Sequence, residues 1–195
     1  MSIDTIHSRS AAMLMGVLIF LAFGTWGGGS ALMHAGAQSA LPMMLFTTPV
    51  VVGIGLLSFG ILRNHAPVAA TTYLTTRLFE ASLLTVAAVL MATGNVNPAM
   101  ADAGHLAYLA AMAGLGIGSV PFCVALLTQR MVPNWLGWWG VVGYASLAGG
   151  MISELSGLKL GLFPLILGGL FELIFAFWLI VWGFSVPIAS RRAAV

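Results

Sequence analysis

The chain has 195 residues, of which 60% are hydrophobic and only 6% are charged, whereas a soluble domain carries about 25% charged residues. This composition excludes an ordinary soluble protein and predicts an integral membrane protein. The formal net charge is only +2, so we do not interpret the basic balance as a nucleic-acid surface.

Six apolar runs are long enough to cross a hydrocarbon core of about 30 Å, which takes about 20 helical residues. They cover residues 11–33, 43–63, 68–93, 104–128, 135–156 and 161–184. The first run exceeds the apolar region of a signal peptide, about 7–15 residues, so we expect it to remain as a span. We therefore predict an all-α bundle of six transmembrane helices, with residues 1–195 forming a single transmembrane domain.

The positive charges between the runs predict the orientation, because Lys and Arg are retained on the cytoplasmic side of short loops. With the N-terminus inside, five arginines fall on the cytoplasmic side and the single lysine falls outside. The arginines are Arg9, Arg63, Arg130, Arg191 and Arg192, and the lysine is Lys159. Both termini are therefore predicted to be cytoplasmic.

The two halves of the chain have a similar spacing of apolar runs. A shift of 92 residues places the first three runs almost on the last three, and it aligns Leu78-Phe79-Glu80 with Leu170-Phe171-Glu172. The halves would then run in opposite directions across the membrane, as in transporters built from inverted repeats. Few other identities accompany this shift, so an inverted 3+3 pseudo-repeat is a secondary expectation.

Three charged residues lie near the centres of two runs. The stretch TTRLFEASLL places Arg77 and Glu80 in the third run, and Glu172 lies in the sixth. A charge at the bilayer centre costs at least about 2.5–3.5 kcal/mol on insertion scales, so such residues usually face the bundle interior and pair. Residues three and four apart share a helix face, so Tyr73, Arg77 and Glu80 form one stripe. We expect this stripe to face the sixth helix and Arg77 to bind both carboxylates.

The charges of this group do not balance, because one guanidinium meets two carboxylates. A proton on one Glu is the simplest compensation, since burial and a neighbouring like charge both favour a neutral carboxyl group. A bound cation or cationic ligand is the other. Two interpretations stay open: a packing clamp with one neutral Glu, or a midplane site for a proton, an ion or a small solute. Tyr144, near the centre of the fifth run, could add a hydroxyl, whereas Tyr108 lies higher in the fourth run.

The remaining polar residues carry weaker signals. His34, Asp102 and His105 lie toward the outer face and could ligate a metal only if the helix arrangement brings them together, so we assign no metal and no cofactor. Glu154 is expected to pair with Lys159 at the surface. No Lys lies within a run to form a retinal Schiff base, and no His lies at mid-depth to act as a catalytic base or a haem ligand.

Three segments resemble the bacterial multi-pass membrane proteins of the domain of unknown function 4386 family. They are YLTTRLFEASLL (73–84), with its R-x-x-E at Arg77 and Glu80, VPNWLGWWGVVGY (132–144) and FELIFAFWLIVWGF (171–184). The chain departs from the family pattern at Asn134, where a basic residue is usual. The resemblance implies a multi-pass protein of the bacterial inner membrane, and it brings no known activity.

We predict a small-solute or ion transporter or a ligand-binding membrane protein. Its predicted binding residues are Arg77, Glu80, Glu172, Tyr73 and Tyr144. The alternative is a non-catalytic accessory or structural subunit of a larger membrane assembly, in which the same charges only fix the fold. A small intramembrane enzyme acting through the two glutamates has no independent support. The expected partners are the lipid bilayer, a small solute, proton or cation, and other membrane proteins or a second copy of the chain, but no nucleic acid.

Overall fold

A computed structural model describes residues 3–94, 97–158 and 163–185, and these residues form six α-helices and no strand. The helices are α1 (Ile3–His34), α2 (Ala40–Leu62), α3 (Pro67–Thr93), α4 (Pro98–Thr128), α5 (Asn134–Leu155) and α6 (Phe163–Val181). The predicted all-α class is confirmed. α1 and α4 begin before the predicted apolar runs, because hydropathy marks the apolar part of a helix and not its whole length.

Proline, asparagine and glycine set several helix ends. Pro67 and Pro98 stand in the first turns of α3 and α4, where a missing N–H costs no hydrogen bond. The side chain of Asn97 caps α4 by accepting a hydrogen bond from the Ala99 N–H at 3.1 Å. After α6, Gly183 adopts a φ of 72°, a left-handed conformation that favours glycine, so this helix ends earlier than the predicted run.

The apolar helices place the protein in a membrane. Among the described residues, four helical segments are long and apolar enough to cross a bilayer: Arg9–His34 in α1, and the whole of α2, α3 and α4. In α6 the apolar stretch Leu165–Val181 is shorter.

The six helices form a ring. Each helix packs mainly against its neighbours in sequence, and α6 closes the ring against α1. Consecutive helices are antiparallel, so one end of the ring carries the end of α1 and the start of α4, and we call it the His34 end. The opposite end, which carries the α2–α3 connection, is the Arg63 end. The ring order puts α3 and α6 on opposite sides of the interior, and the stripe of α3 faces α6 across it, as expected, because Arg77 donates a hydrogen bond to Glu172.

α1 and α6 are close near the Arg63 end and separate toward the His34 end. A Cβ atom built on Gly16 would lie 2.5 Å from the carbonyl oxygen of Ala176, so the two backbones touch there. Two turns farther on, a Cβ atom on Gly169 would meet only the ring of Phe23, at 3.6 Å. A gap therefore opens between α1 and α6 in the half of the ring nearer the His34 end.

Gly116 marks the closest approach of α4 and α5. A Cβ atom there would lie 2.6 Å from the Ala148 nitrogen and 2.7 Å from the Tyr144 carbonyl oxygen. Because the obstacle is backbone, Gly116→Ala must push the helices apart, and overpacking of this kind costs about 1–3 kcal/mol. We expect a lower melting temperature in detergent. Gly60→Ala is the control, since nothing lies within 4 Å of its Cβ position; equal melting temperatures for both variants would refute the close approach.

Candidate functional site

Arg77 lies at the centre of a hydrogen-bonded cluster inside the ring. Its Nη1 donates to Glu80 Oε2 at 2.9 Å, and its Nη2 donates to Glu172 Oε1 at 3.1 Å. Its Nε and Nη2 both donate to the hydroxyl oxygen of Tyr73. The Tyr144 hydroxyl completes the cluster by donating to Glu172 Oε1. We call these five residues the Arg77 cluster; it joins α3, α5 and α6 across the interior.

Burial makes the Arg77 cluster electrostatically costly to disturb. Arg77 is 3% exposed and Glu80 is 4% exposed, whereas the side chain of Glu172 keeps 12% of its surface. Removing one partner of such a buried pair leaves an uncompensated charge, which costs far more than losing a surface ion pair. Glu172 is the most accessible charged member.

Two features of the sequence fix the position of Arg77. Tyr73, Arg77 and Glu80 follow helical spacing, so they point to the same side of α3. On the neighbouring helix, a Cβ atom on Gly55 would lie 2.9 Å from Arg77 Cβ. The absence of a side chain at Gly55 therefore lets α2 approach the aliphatic stem of Arg77.

One oxygen of each carboxylate is left without a hydrogen bond. Among the described residues, the single hydrogen bond to the Glu80 carboxylate ends on Oε2, and both hydrogen bonds to the Glu172 carboxylate end on Oε1. Within the described part of the chain, Glu80 Oε1 and Glu172 Oε2 therefore have no donor. Glu80 and Glu172 both line a cavity inside the ring, which makes these two oxygens acceptors available to a ligand.

A cavity of about 460 Å³ lies on the side of the Arg77 cluster that faces the His34 end. All six helices contribute to its wall, and Arg77, Glu80 and Glu172 form its floor. The wall is mainly apolar. Its larger apolar side chains include Ile19, Phe23, Val51, Ile54, Leu84, Met112, Leu115, Leu147, Leu165 and Leu173. Ligand pockets are typically about 300–1,000 Å³, with apolar walls and a few placed polar groups, and this cavity has that character.

On the side of the cluster that faces the Arg63 end, aromatic rings fill the interior. Tyr73 stacks on Phe122 with ring centroids 4.1 Å apart, and Phe122 meets the edge of Phe175 at 6.1 Å. Phe175 stacks on Phe171 at 5.5 Å, and all four residues are buried. We call these four residues the aromatic plug. The cavity therefore ends at the charged floor and does not continue to the Arg63 end.

Two stacked aromatic side chains mark the mouth of the cavity. Trp26 of α1 and Tyr108 of α4 have ring centroids 5.5 Å apart and nearly parallel planes, at 8°. Both also line a second cavity of about 670 Å³ at the His34 end, which includes His34 and His105. The stacked pair thus lies between the inner cavity and the end of the ring.

The inner cavity also reaches the outer surface of the ring. Phe23, Ile166 and Leu170 line it, yet they belong to the exposed apolar side chains of the bundle. These residues stand on α1 and α6, where the two helices separate. The gap between α1 and α6 is therefore a side opening toward the apolar surroundings.

The structure brings together all five residues predicted for the site, and their role in ligand binding stays a prediction. Phe23 and Trp26 are not among the predicted residues, and Tyr108 lines the cavity without joining the cluster. Within residues 3–94, 97–158 and 163–185, no group of three His, Cys, Asp or Glu side chains could hold a metal ion. Lys159, Arg191 and Arg192 lie outside the described residues, so the predicted Glu154–Lys159 pair does too.

Comparison with known protein families gives a match. The family model described as domain of unknown function (DUF4386) matches residues 32–183, which include every member of the Arg77 cluster. No curated protein and no solved structure matches the chain.

Proposed function

The chain belongs to the DUF4386 family, and on that premise we propose that it is a membrane protein that binds a small solute at the Arg77 cluster. The family has no described activity, so the proposal rests on geometry. The observation that carries it is the cavity of about 460 Å³ whose floor is Arg77, Glu80 and Glu172. If the Arg77 cluster served only to hold the helices together, we would expect close-packed side chains around it and no cavity, because protein interiors are usually close-packed.

We further propose that all six helices cross the inner membrane of a bacterium, with both termini cytoplasmic. α5 and α6 complete the same ring as the four long apolar helices, which supports six crossings. The exposed Trp135, Trp138 and Trp182 lie near the Arg63 end, as expected for a membrane interface. In this orientation the cavity is accessible from outside, and the aromatic plug closes the cytoplasmic side.

Transport is the activity that this asymmetry supports best. A binding site near mid-depth, accessible from one side and closed on the other, corresponds to one state of an alternating-access cycle. The two glutamates that a 92-residue shift aligns, Glu80 and Glu172, both accept hydrogen bonds from Arg77, which supports an inverted repeat. The second candidate, an accessory subunit held together by the cluster, is favoured by the extensive pairing of Arg77.

A pair of glycines on α1 offers a matched test of solute binding. Nothing lies within 4 Å of a Cβ atom on Gly27 or on Gly24, but only Gly27 lines the cavity. We expect at least one class of apolar amines, alcohols or carboxylic acids to raise the melting temperature of the purified protein. A ligand present at a hundred times its Kd raises the free energy of unfolding by about 2.7 kcal/mol. Gly27→Phe should lose this shift and Gly24→Phe should keep it.

Two outcomes would contradict solute binding in the cavity. One is that no compound class shifts the melting temperature of the unaltered protein. The other is a shift that Gly27→Phe leaves intact, because the compound would then bind elsewhere. In either case the accessory-subunit function becomes the better candidate.

A further inference from the structure

We infer that the ligand of the Arg77 cluster is an organic monocation, a protonated amine with an apolar body, which reaches the cavity through the gap between α1 and α6. This inference rests on the proposed binding function and specifies the ligand. It follows from the charge of the floor, the free carboxylate oxygens, the apolar wall and the side opening.

The charge of the floor favours a cation. Arg77 supplies one positive charge, and Glu80 and Glu172 supply two negative charges when both are ionised. Four of the five N–H donors of the guanidinium are already used by the cluster. An anionic ligand would therefore meet an excess negative charge and few free donors. A single positive charge on the ligand balances the site.

The free oxygens provide the contacts that an ammonium group needs. Glu80 Oε1 and Glu172 Oε2 have no hydrogen-bond donor among the described residues, and both carboxylates border the cavity. An ammonium N–H can donate to such oxygens in a charge-assisted hydrogen bond. Glu172 has the larger exposed fraction, 12% against 5% for the Glu80 side chain, so we assign it the first contact with the ligand.

The wall of the cavity distinguishes an organic cation from smaller ones. A proton needs no cavity of about 460 Å³. Ca²⁺ takes six to eight oxygen ligands and Mg²⁺ takes six, whereas Thr47 and Tyr108 are the only described residues with side-chain oxygens that line the cavity beyond its floor. A hydrophilic solute would lose its hydrogen bonds to water in this cavity, and the apolar side chains of the wall could not replace them. An amine with an apolar body fits both parts of the site.

The side opening gives such a ligand a direct route. Phe23 on α1 and Ile166 and Leu170 on α6 line the cavity and also lie exposed on the outer surface. Apolar amines accumulate in a bilayer with the charged group near the interface. They can therefore reach the gap from the lipid. The apolar body of the amine would enter first and contact the apolar side chains at the edge of the gap.

Three probes with the same phenyl group and a carbon chain of the same length test the charge preference: phenylbutylamine, phenylbutanol and phenylbutyrate. Equilibrium binding to the full chain in lipid nanodiscs is measured for each. Since a hydrogen bond to a charged group is worth about tenfold to a hundredfold in affinity, we expect the amine to bind at least tenfold more tightly than the alcohol. The acid should bind more weakly than both. Glu172→Gln should remove the advantage of the amine over the alcohol.

Each outcome bears on a different part of the inference. If the alcohol or the acid binds as tightly as the amine, and Gly27→Phe blocks that binding, the cationic ligand is wrong but solute binding stands. If none of the probes binds, or none is sensitive to Gly27→Phe, both the inference and the proposed function fail. The comparison of the three probes in the unaltered protein decides the charge preference even if Glu172→Gln does not fold.

The route is tested separately with Gly169→Leu, which places a side chain against Phe23 at the edge of the gap. The rate at which phenylbutylamine binds from the bilayer should fall several-fold, with the preference for the amine retained. Gly149→Leu, at an open position on α5, is the control and should bind at the unaltered rate. Unchanged rates in both variants would overturn access through the gap.

Discussion

Arg77→Met is expected to destabilise the protein more than any other single substitution considered above. Methionine fills a similar apolar volume but leaves Glu80 and Glu172 without a counter-charge, and it removes both donors to the Tyr73 hydroxyl. Removing one partner of a buried ion pair typically costs about 3–5 kcal/mol. In the interior of a membrane protein that cost is a large part of the total stability.

The measurement can use the only cysteine of the chain. Cys123 is fully buried, so the rate at which its thiol is alkylated in detergent micelles reports opening of the bundle. Arg77→Met should raise this rate strongly and lower the melting temperature. The alkylation rate and melting temperature of Arg77→Lys should lie between those of the unaltered protein and of Arg77→Met, because the ammonium group keeps the charge but lacks the planar set of donors of the guanidinium.

A triple variant without charges in the cluster separates the electrostatic effect of losing Arg77 from the effect of its changed side-chain shape. Arg77→Met combined with Glu80→Gln and Glu172→Gln leaves no unpaired charge, so much of the lost stability should return. If this triple variant is as unstable as Arg77→Met alone, the electrostatic explanation is wrong. The electrostatic explanation would also be contradicted if Arg77→Met alone lowered the free energy of unfolding by only about 1 kcal/mol or less, because an exposed ion pair contributes that much.

Phe122→Ala is expected to have the second largest effect. Phe122 is buried at the centre of the aromatic plug, between Tyr73 and Phe175. Deleting a buried phenyl ring typically costs about 3–5 kcal/mol, because the surrounding side chains fill the hole only in part. Phe46→Ala is the matched control on α2, since that ring is exposed on the outer surface and its removal should change stability by about 0.5 kcal/mol or less.

The same variant tests whether the plug closes one end of the ring. With Phe122 shortened, solvent should reach Cys123 from the Arg63 end, so a membrane-impermeant thiol reagent should label it from that side of sealed vesicles. Reagent added to the opposite side should label more slowly. Equal stability of the two Phe→Ala variants, or labelling without preference for a side, would show that the stacked rings do not form a barrier.

The sequence predicts the membership of the cluster from two kinds of information. Helical spacing puts Tyr73, Arg77 and Glu80 on one side of α3, because positions three and four apart share a face. Depth along the predicted spans adds Glu172 and Tyr144, because charged and polar groups in a bilayer seek one another. Both are local properties of single helices, so they need no knowledge of the fold.

The order of the helices around the ring could not be predicted in this way. Depth is the same whether α3 and α6 are neighbours or stand on opposite sides of the ring. It therefore predicts the contact between Arg77 and Glu172, which the structure shows, but it does not predict which helices are neighbours. The cavity is likewise not predictable, since it exists where side chains of six helices fail to meet. Trp26 and Tyr108 stack only because α1 and α4 present those faces to each other.

The ion pair within α3 also bears on how the chain is assembled in the bilayer. Arg77 and Glu80 belong to one helix, so the emerging segment can leave the translocon as an electrically neutral unit. In the proposed topology of six crossings, Glu172 follows 95 residues after Arg77 and enters a bilayer that already holds a partner for it. A circularly permuted chain beginning with α5 would present the carboxylate of α6 first and alone. The order of synthesis therefore protects the one acidic group of the cluster that has no counter-charge on its own helix.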